Sequence, residues 1–251
     1  GPVIKEGRHF EPARRDKLAK LLRFQSSTED GMTSLDAYVE RMQEGQDAIY
    51  YALGQNKELL DGSPHLEVLK KKGFEVIYLT DSIDQWAIEN VPDYGDVKLV
   101  DAIKGELNFD DDADMAEARE VQAEALLPLT ERFQTMLEDQ ISEVRISNRL
   151  EGSPACLVIP EGGVASHIER LLREQNQDMP EQKRVLEINP THPLIEALQK
   201  INDKDDEAKV KTWVELIYDQ ALIAEGSPIQ HPALFAQRLT NLMQEVAGAQ
   251  V

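Results

Sequence analysis

The chain has 251 residues, 41% of them hydrophobic and 29% charged, enough apolar material for one large or two ordinary globular domains and too much for a disordered chain. Its net charge of −20, from 27 Lys and Arg against 47 Asp and Glu, repels phosphate backbones and acidic lipid surfaces and so argues against nucleic acid or membrane partners. No run approaches the roughly 18–20 apolar residues of a membrane span, and no basic segment followed by an apolar one opens the chain, so a soluble cytoplasmic protein is expected.

In chain order, residues 16–24 predict a short helix with Leu18, Leu21 and Leu22 on one face. Ser34 is an N-cap before the apolar spacing of Leu35, Tyr38, Val39 and Met42. Residues 48–53 are strand formers ending at Gly54. Ser63-Pro64 opens a helix that Gly73 closes. Residues 74–79 predict a second strand, 84–90 a helix and 97–100 a third strand. Strands separated by helices imply βαβ units, hence a short parallel sheet flanked by helices in a small αβα subdomain.

The acidic run at residues 108–113 reads as a solvated linker. It also divides the charge: residues 1–105 hold 14 Lys and Arg and 19 Asp and Glu, and residues 106–251 hold 13 and 28. Residues 115–137 predict a long helix that Pro128 kinks or restarts. Strands follow at 144–147, 155–159 and 184–188, with a turn at Glu161-Gly162-Gly163 and a helix at 166–175 bearing Ile168, Leu171 and Leu172. The lone cysteine, Cys156, sits in an apolar run and reads as a small buried hydrophobe. The end is helical: one helix from His192-Pro193, one carrying Val210, Trp213, Val214, Ile217, Tyr218 and Ala221, and one carrying Leu234, Phe235, Leu239, Leu242, Met243 and Val246. The last two need a surface to pack on. A four-helix bundle made by two copies and packing within one chain fit the pattern equally well.

Sequence motifs for chemistry are missing. No phosphate loop, GxGxxG turn, GxSxG elbow or HExxH occurs. The five histidines are scattered, and His192 and His231, each before a Pro, suit capping or turn roles. No catalytic or metal-binding residue is therefore expected. Two apolar features have either a core or a contact reading: the Ile168, Leu171, Leu172 stripe, and Trp86 between Gln85 and Ile88.

Several ordered segments carry a resemblance. Leu21-Leu22-Arg23-Phe24-Gln25-Ser26-Ser27, Ser34-Leu35-Asp36-Ala37-Tyr38, Arg41-Met42-Gln43-Glu44-Gly45-Gln46-Asp47-Ala48-Ile49-Tyr50-Tyr51, Lys71-Lys72-Gly73-Phe74-Glu75-Val76 and Asp84-Gln85-Trp86 resemble the middle domain of the ninety-kilodalton heat-shock (Hsp90) chaperones. Ser147-Asn148-Arg149-Leu150, Ser153-Pro154-Ala155-Cys156-Leu157-Val158, Leu186-Glu187-Ile188-Asn189-Pro190 and Tyr218-Asp219-Gln220-Ala221-Leu222 resemble their C-terminal domain, with the bacterial HtpG type favoured because the chain ends without the acidic tail of eukaryotic cytosolic members.

The resemblance implies a fragment: residues 1–110 as the small αβα part of the middle domain and residues 111–251 as an α+β C-terminal dimerisation domain whose last helices form an intermolecular four-helix bundle. It implies a homodimer through Trp213, Val214, Ile217, Leu234, Phe235, Leu239, Leu242 and Met243. It implies client contacts through Gln85, Trp86, Glu89, Ile168, Leu171 and Leu172, although Gln85 stands where the family commonly has Glu. Unfolded or partly folded proteins and co-chaperones are the implied partners. ATP and magnesium belong to the full-length chaperone, an ATPase, while this fragment is expected to hold no cofactor and to be no enzyme. A passive dimerisation scaffold without client binding is the alternative.

Overall fold

The computed structural model describes residues 19–81, 84–89, 91, 93–105, 107, 113–163, 182–202, 204 and 206–248, with the side chains of 85, 86, 89 and 113–119 outside that description. The chain divides into two compact units, residues 1–105 and 106–251. Both are mixed α and β.

The first unit holds β1 (Gln25–Ser26), α1 (Leu35–Arg41), β2 (Ala48–Leu53), α2 (Lys57–Asp61), a 3-10 turn (Pro64–Leu66), α3 (Glu67–Lys71), β3 (Val76–Leu79), α4 (Asp84–Glu89), β4 (Asp93–Tyr94) and β5 (Val97–Asp101). Its sheet runs β1-β3-β2-β5-β4. The three inner strands are parallel, with Tyr51 opposite Ile77 on one side and Ile49 opposite Leu99 on the other. Strands β2 and β3 are almost wholly buried, as parallel strands covered on both faces must be. The expected all-parallel sheet needs correcting at its edges, where β1 and β4 pair antiparallel. Each is two residues long, too short to carry an alternating pattern.

Local chemistry explains the helices. The Ser34 side chain accepts from the Ala37 amide, the expected N-cap. Helix α2, which the sequence reading missed, is capped by Asn56 accepting from Leu59. The expected helix over 16–24 does not reach its end: Phe24 exchanges backbone hydrogen bonds with Thr33, at 3.0 and 2.8 Å, in an isolated bridge. The bridge removes Phe24 from any helical ladder, and residues 16–18 lie outside the described residues.

The second unit holds α5 (Ala113–Met136), β6 (Ile141–Ile146), β7 (Ala155–Val158), β8 (Arg184–Ile188), α6 (Pro193–Asn202), α7 (Glu207–Glu225) and α8 (Pro232–Gly248). Its sheet runs β6-β8-β7, with β6 parallel and β7 antiparallel to the central β8. Helix α5 passes through Pro128 without a restart. Pro128 lies on the exposed side, and the Gln199 side chain donates to the nearby Ala125 carbonyl at 2.8 Å. Helices α5, α6 and α7 cover the sheet with Leu129, Phe133, Ile195, Leu198, Val210, Val214 and Ile217, which pack on Leu157, Leu186 and Ile188. Cys156 is buried on β7, as expected. His192 also takes its expected role at a helix start, its Nδ1 accepting from the Leu194 amide at 3.1 Å.

The recognisable sequence segments meet at buried carboxylates. In the first unit Glu75 accepts from Ser26 Oγ at 2.5 Å and from Arg41 Nη2 at 2.8 Å. In the second unit Glu187 on β8 accepts from Arg145 Nη2 at 2.8 Å, Arg149 Nε at 2.9 Å and Ser147 Oγ at 2.8 Å. Arg149 is only 1% exposed. A charge so deep is tolerated only when paired and hydrogen-bonded. Thus Ser147-Asn148-Arg149-Leu150 and Leu186-Glu187-Ile188 are two halves of one ionic lock.

Candidate self-association surface

Helix α7 starts at Asp206, whose side chain accepts from the Lys209 amide at 3.3 Å. Val210, Val214, Ile217, Tyr218 and Ala221 recur at helical spacing and are all buried in the unit's own core. Its last turn is fixed twice. Gly226 adopts the left-handed conformation (φ 81°), and the amides of Gly226 and Ser227 donate to the carbonyls of Ile223 and Leu222, a Schellman ending. Glu225 accepts from Arg184 Nε of β8 at 3.1 Å, both side chains nearly fully buried.

The chain then turns, and Pro232 occupies the first position of α8, where its missing amide leaves no gap. None of the residues of α8 is buried. Leu234, Leu239, Met243 and Val246 are 47, 40, 63 and 54% exposed, whereas Phe235 and Leu242 are half-buried. Ile223, near the end of α7, is also exposed.

One ionic cluster joins α8 to α7. Arg238 Nη2 lies 2.6 Å from Glu215 Oε2, and Arg238 Nη1 lies 3.5 Å from Asp219 Oδ2. Glu215 and Asp219 stand four residues apart, one above the other on one face of α7. Burial raises the Asp219 carboxyl above the ordinary carboxylate range; Arg238 pulls it back down, Glu215 pushes it up and His231 pulls it down.

The residues expected at a dimer interface thus separate into two sets. Val214 and Ile217, at 0 and 1% exposure, belong to the interior of their own unit, and Trp213 packs half-buried against it. Leu234, Leu239 and Met243 are on the surface, with Phe235 and Leu242 beside them. Among the residues expected to touch clients, Gln85, Trp86 and Glu89 lie on α4, anchored by buried Ala87 and Ile88, with their own side chains outside the described residues. Ile168, Leu171 and Leu172 lie outside the described residues altogether. Sequence reasoning missed Arg238, Glu215 and Asp219. The available signal was a single cation inside the apolar stripe of α8 and two acids at i, i+4 on α7.

Comparison with known proteins places the chain. The model of the Hsp90 protein family matches residues 1–250. The chain belongs to the Hsp90 family. Among curated relatives, the chaperone protein HtpG of Myxococcus xanthus is 46% identical over 99% of this chain and 38% of its own length. HtpG of Geobacter sulfurreducens is 42% identical over 97% of this chain and 38% of its own length, and HtpG of Magnetococcus marinus is 43% identical over 97% and 39%. This Hsp90 chain therefore spans under two-fifths of the length of these relatives. Among the described residues, no helix is long and apolar enough to cross a membrane, and no group of three or more His, Cys, Asp or Glu side chains is placed to hold a metal ion.

Proposed function

We propose that this chain is the portion of a cytoplasmic Hsp90-family chaperone that joins two protomers and contributes part of the client-contact surface, and that it does not itself hydrolyse ATP. In this reading residues 1–110 are the αβα part of the middle domain and residues 111–251 the C-terminal dimerisation domain. One observation carries the self-association half: an amphipathic helix at full length, α8, with no buried residue and four large apolar side chains exposed. Burying such side chains gives about 25 cal/mol per Å² of apolar area, and the partner that offers a matching surface without further assumption is the same helix of a second copy, giving the intermolecular four-helix bundle.

Client binding is the second half. Apolar side chains from the two arms, among them Trp86, Ile168, Leu171 and Leu172, would face a shared cleft and hold partly folded proteins by the same apolar burial. ATP and magnesium would act elsewhere in the full-length protein, closing the arms and changing the contacts offered.

Sedimentation equilibrium on this chain at several concentrations tests the first half. The expected result is a dimer of 28.3 kDa chains that Leu239→Ser with Met243→Ser dissociates, while circular dichroism stays unchanged. A monomer at tens of micromolar overturns it. Replacing Ile168, Leu171 and Leu172 with Ser should weaken binding of an unfolded client and leave the dimer intact. Undiminished client binding would instead favour the passive scaffold.

A further inference from the structure

We propose that Arg238 is a positioning residue: through Glu215 and Asp219 it fixes the rotation of α8 on α7, and so decides which apolar side chains α8 presents to a second copy of this chain. The inference rests on the self-association reading and specifies how that surface is set.

The reason lies in the breadth of the apolar arc. At about 100° per residue, Leu234, Phe235, Leu239, Leu242, Met243 and Val246 spread over roughly half the helix circumference. Phe235 and Leu242 are half-buried in the middle of that arc, and the others flank it. Apolar burial is non-directional. Turning α8 by about 40° would bring Leu239 and Val246 to the angles now held by Phe235 and Leu242, exchanging one pair of apolar side chains for another. Hydrophobic contact with α7 therefore leaves several rotations close in energy, each showing a different face.

The ionic cluster is directional where the apolar contact is not. Arg238 falls within the same arc and meets Glu215 at 2.6 Å and Asp219 at 3.5 Å. Asp219 is buried, so a rotation that carried Arg238 away would leave a buried carboxylate without that cation. In coiled coils a polar group in an apolar seam selects one register among many; Arg238, the one cation in the apolar arc of α8, stands in such a place, with Glu245 two turns further on at nearly the same angle. The charged groups facing it are Glu215 and Asp219 of α7, with His231 acting on Asp219 from the turn before α8.

Arg238→Gln in the whole chain, followed by sedimentation equilibrium at pH 8 and at pH 5, tests this. The wild-type chain should dimerise at both. At pH 8 the variant should dimerise about tenfold more weakly or worse, a loss of about 1.4 kcal/mol, with its helical circular dichroism retained. Adding Asp219→Asn, so that an amide pair replaces the ion pair, should recover most of the loss, and acid should act in the same direction, because burial raises the Asp219 carboxyl. A wild-type dissociation constant in Arg238→Gln overturns the proposal and leaves self-association standing. So does a loss that neither Asp219→Asn nor acid relieves, because the aliphatic stem rather than the charge would then matter. If Arg238→Gln does not fold, the double variant decides: folded and dimeric supports the proposal, folded and monomeric overturns it. A monomeric wild-type chain removes the self-association reading itself.

Discussion

Helices α7 and α8 are neighbours of nearly equal length, and their sequences look alike: long, amphipathic, with apolar residues at three- and four-residue spacing. Their fates differ. Eight residues of α7 are buried and none of α8. The stripe of α7 closes its own unit against β7, β8 and α6, whereas α8 packs chiefly on α7 and keeps its stripe outside. Amphipathic spacing states that a helix has a face to bury. It does not state which surface will cover that face, or in which chain.

Five substitutions would break or sharpen this contrast, beginning with the largest effect. Glu225→Ala removes the carboxylate that Arg184 of β8 meets in the interior. Loss of one partner from a buried pair is expected to destabilise the second unit by about 3–5 kcal/mol, measured as a fall in the urea midpoint. Ile217→Ala opens a cavity beneath α7 and should lose about 2–5 kcal/mol. Its counterpart on α8, Met243→Ala, should change unfolding at low protein concentration by less than about 0.5 kcal/mol. Equal losses at Ile217 and Met243 would mean that α8 is as much core as α7, and the contrast would collapse.

An effect smaller than that at Ile217 is expected at Gly226, which holds a left-handed conformation at the junction of the two helices. Gly226→Ala should destabilise by about 1–2 kcal/mol, seen as a lowered melting temperature. The smallest effect concerns Asp219, whose carboxyl titrates above the ordinary range because of burial. Between the ordinary and the raised value the folded chain keeps a proton that the unfolded chain has lost, so the Asp219 contribution to stability falls as pH rises through that window. Asp219→Asn should remove this part of the slope, which urea unfolding at pH 4, 5, 6 and 7 would resolve. An unchanged slope would show that Asp219 is not the group responsible.

Much of the fold was legible in the sequence because it is encoded locally. The Ser34 cap, the β2 and β3 runs and the His192 start of α6 each need only a few consecutive residues. The edge strands β1 and β4, the short helix α2 and the passage of α5 through Pro128 were not legible. Two residues cannot show a period, and the residues around Pro128 do not state whether the helix continues through it. The candidate surface divides in the same way. Leu234, Leu239 and Met243 could be picked out by spacing, but Val214 and Ile217 could not be told from them, and Arg238 carried no mark beyond its charge.

By itself, then, the sequence determined that the chain would build mixed α and β units and that its segments match the Hsp90 family, since caps and ordered motifs are properties of neighbouring residues. Only the tertiary structure decided that Glu75 and Glu187 would be buried and locked by arginines distant in sequence, that the α7 stripe would face inward, and that α8 would keep no buried residue while Arg238 ties it to α7. The physical reason is that burial is a contest among all apolar surfaces for a limited interior, and its outcome depends on which faces the whole chain brings together.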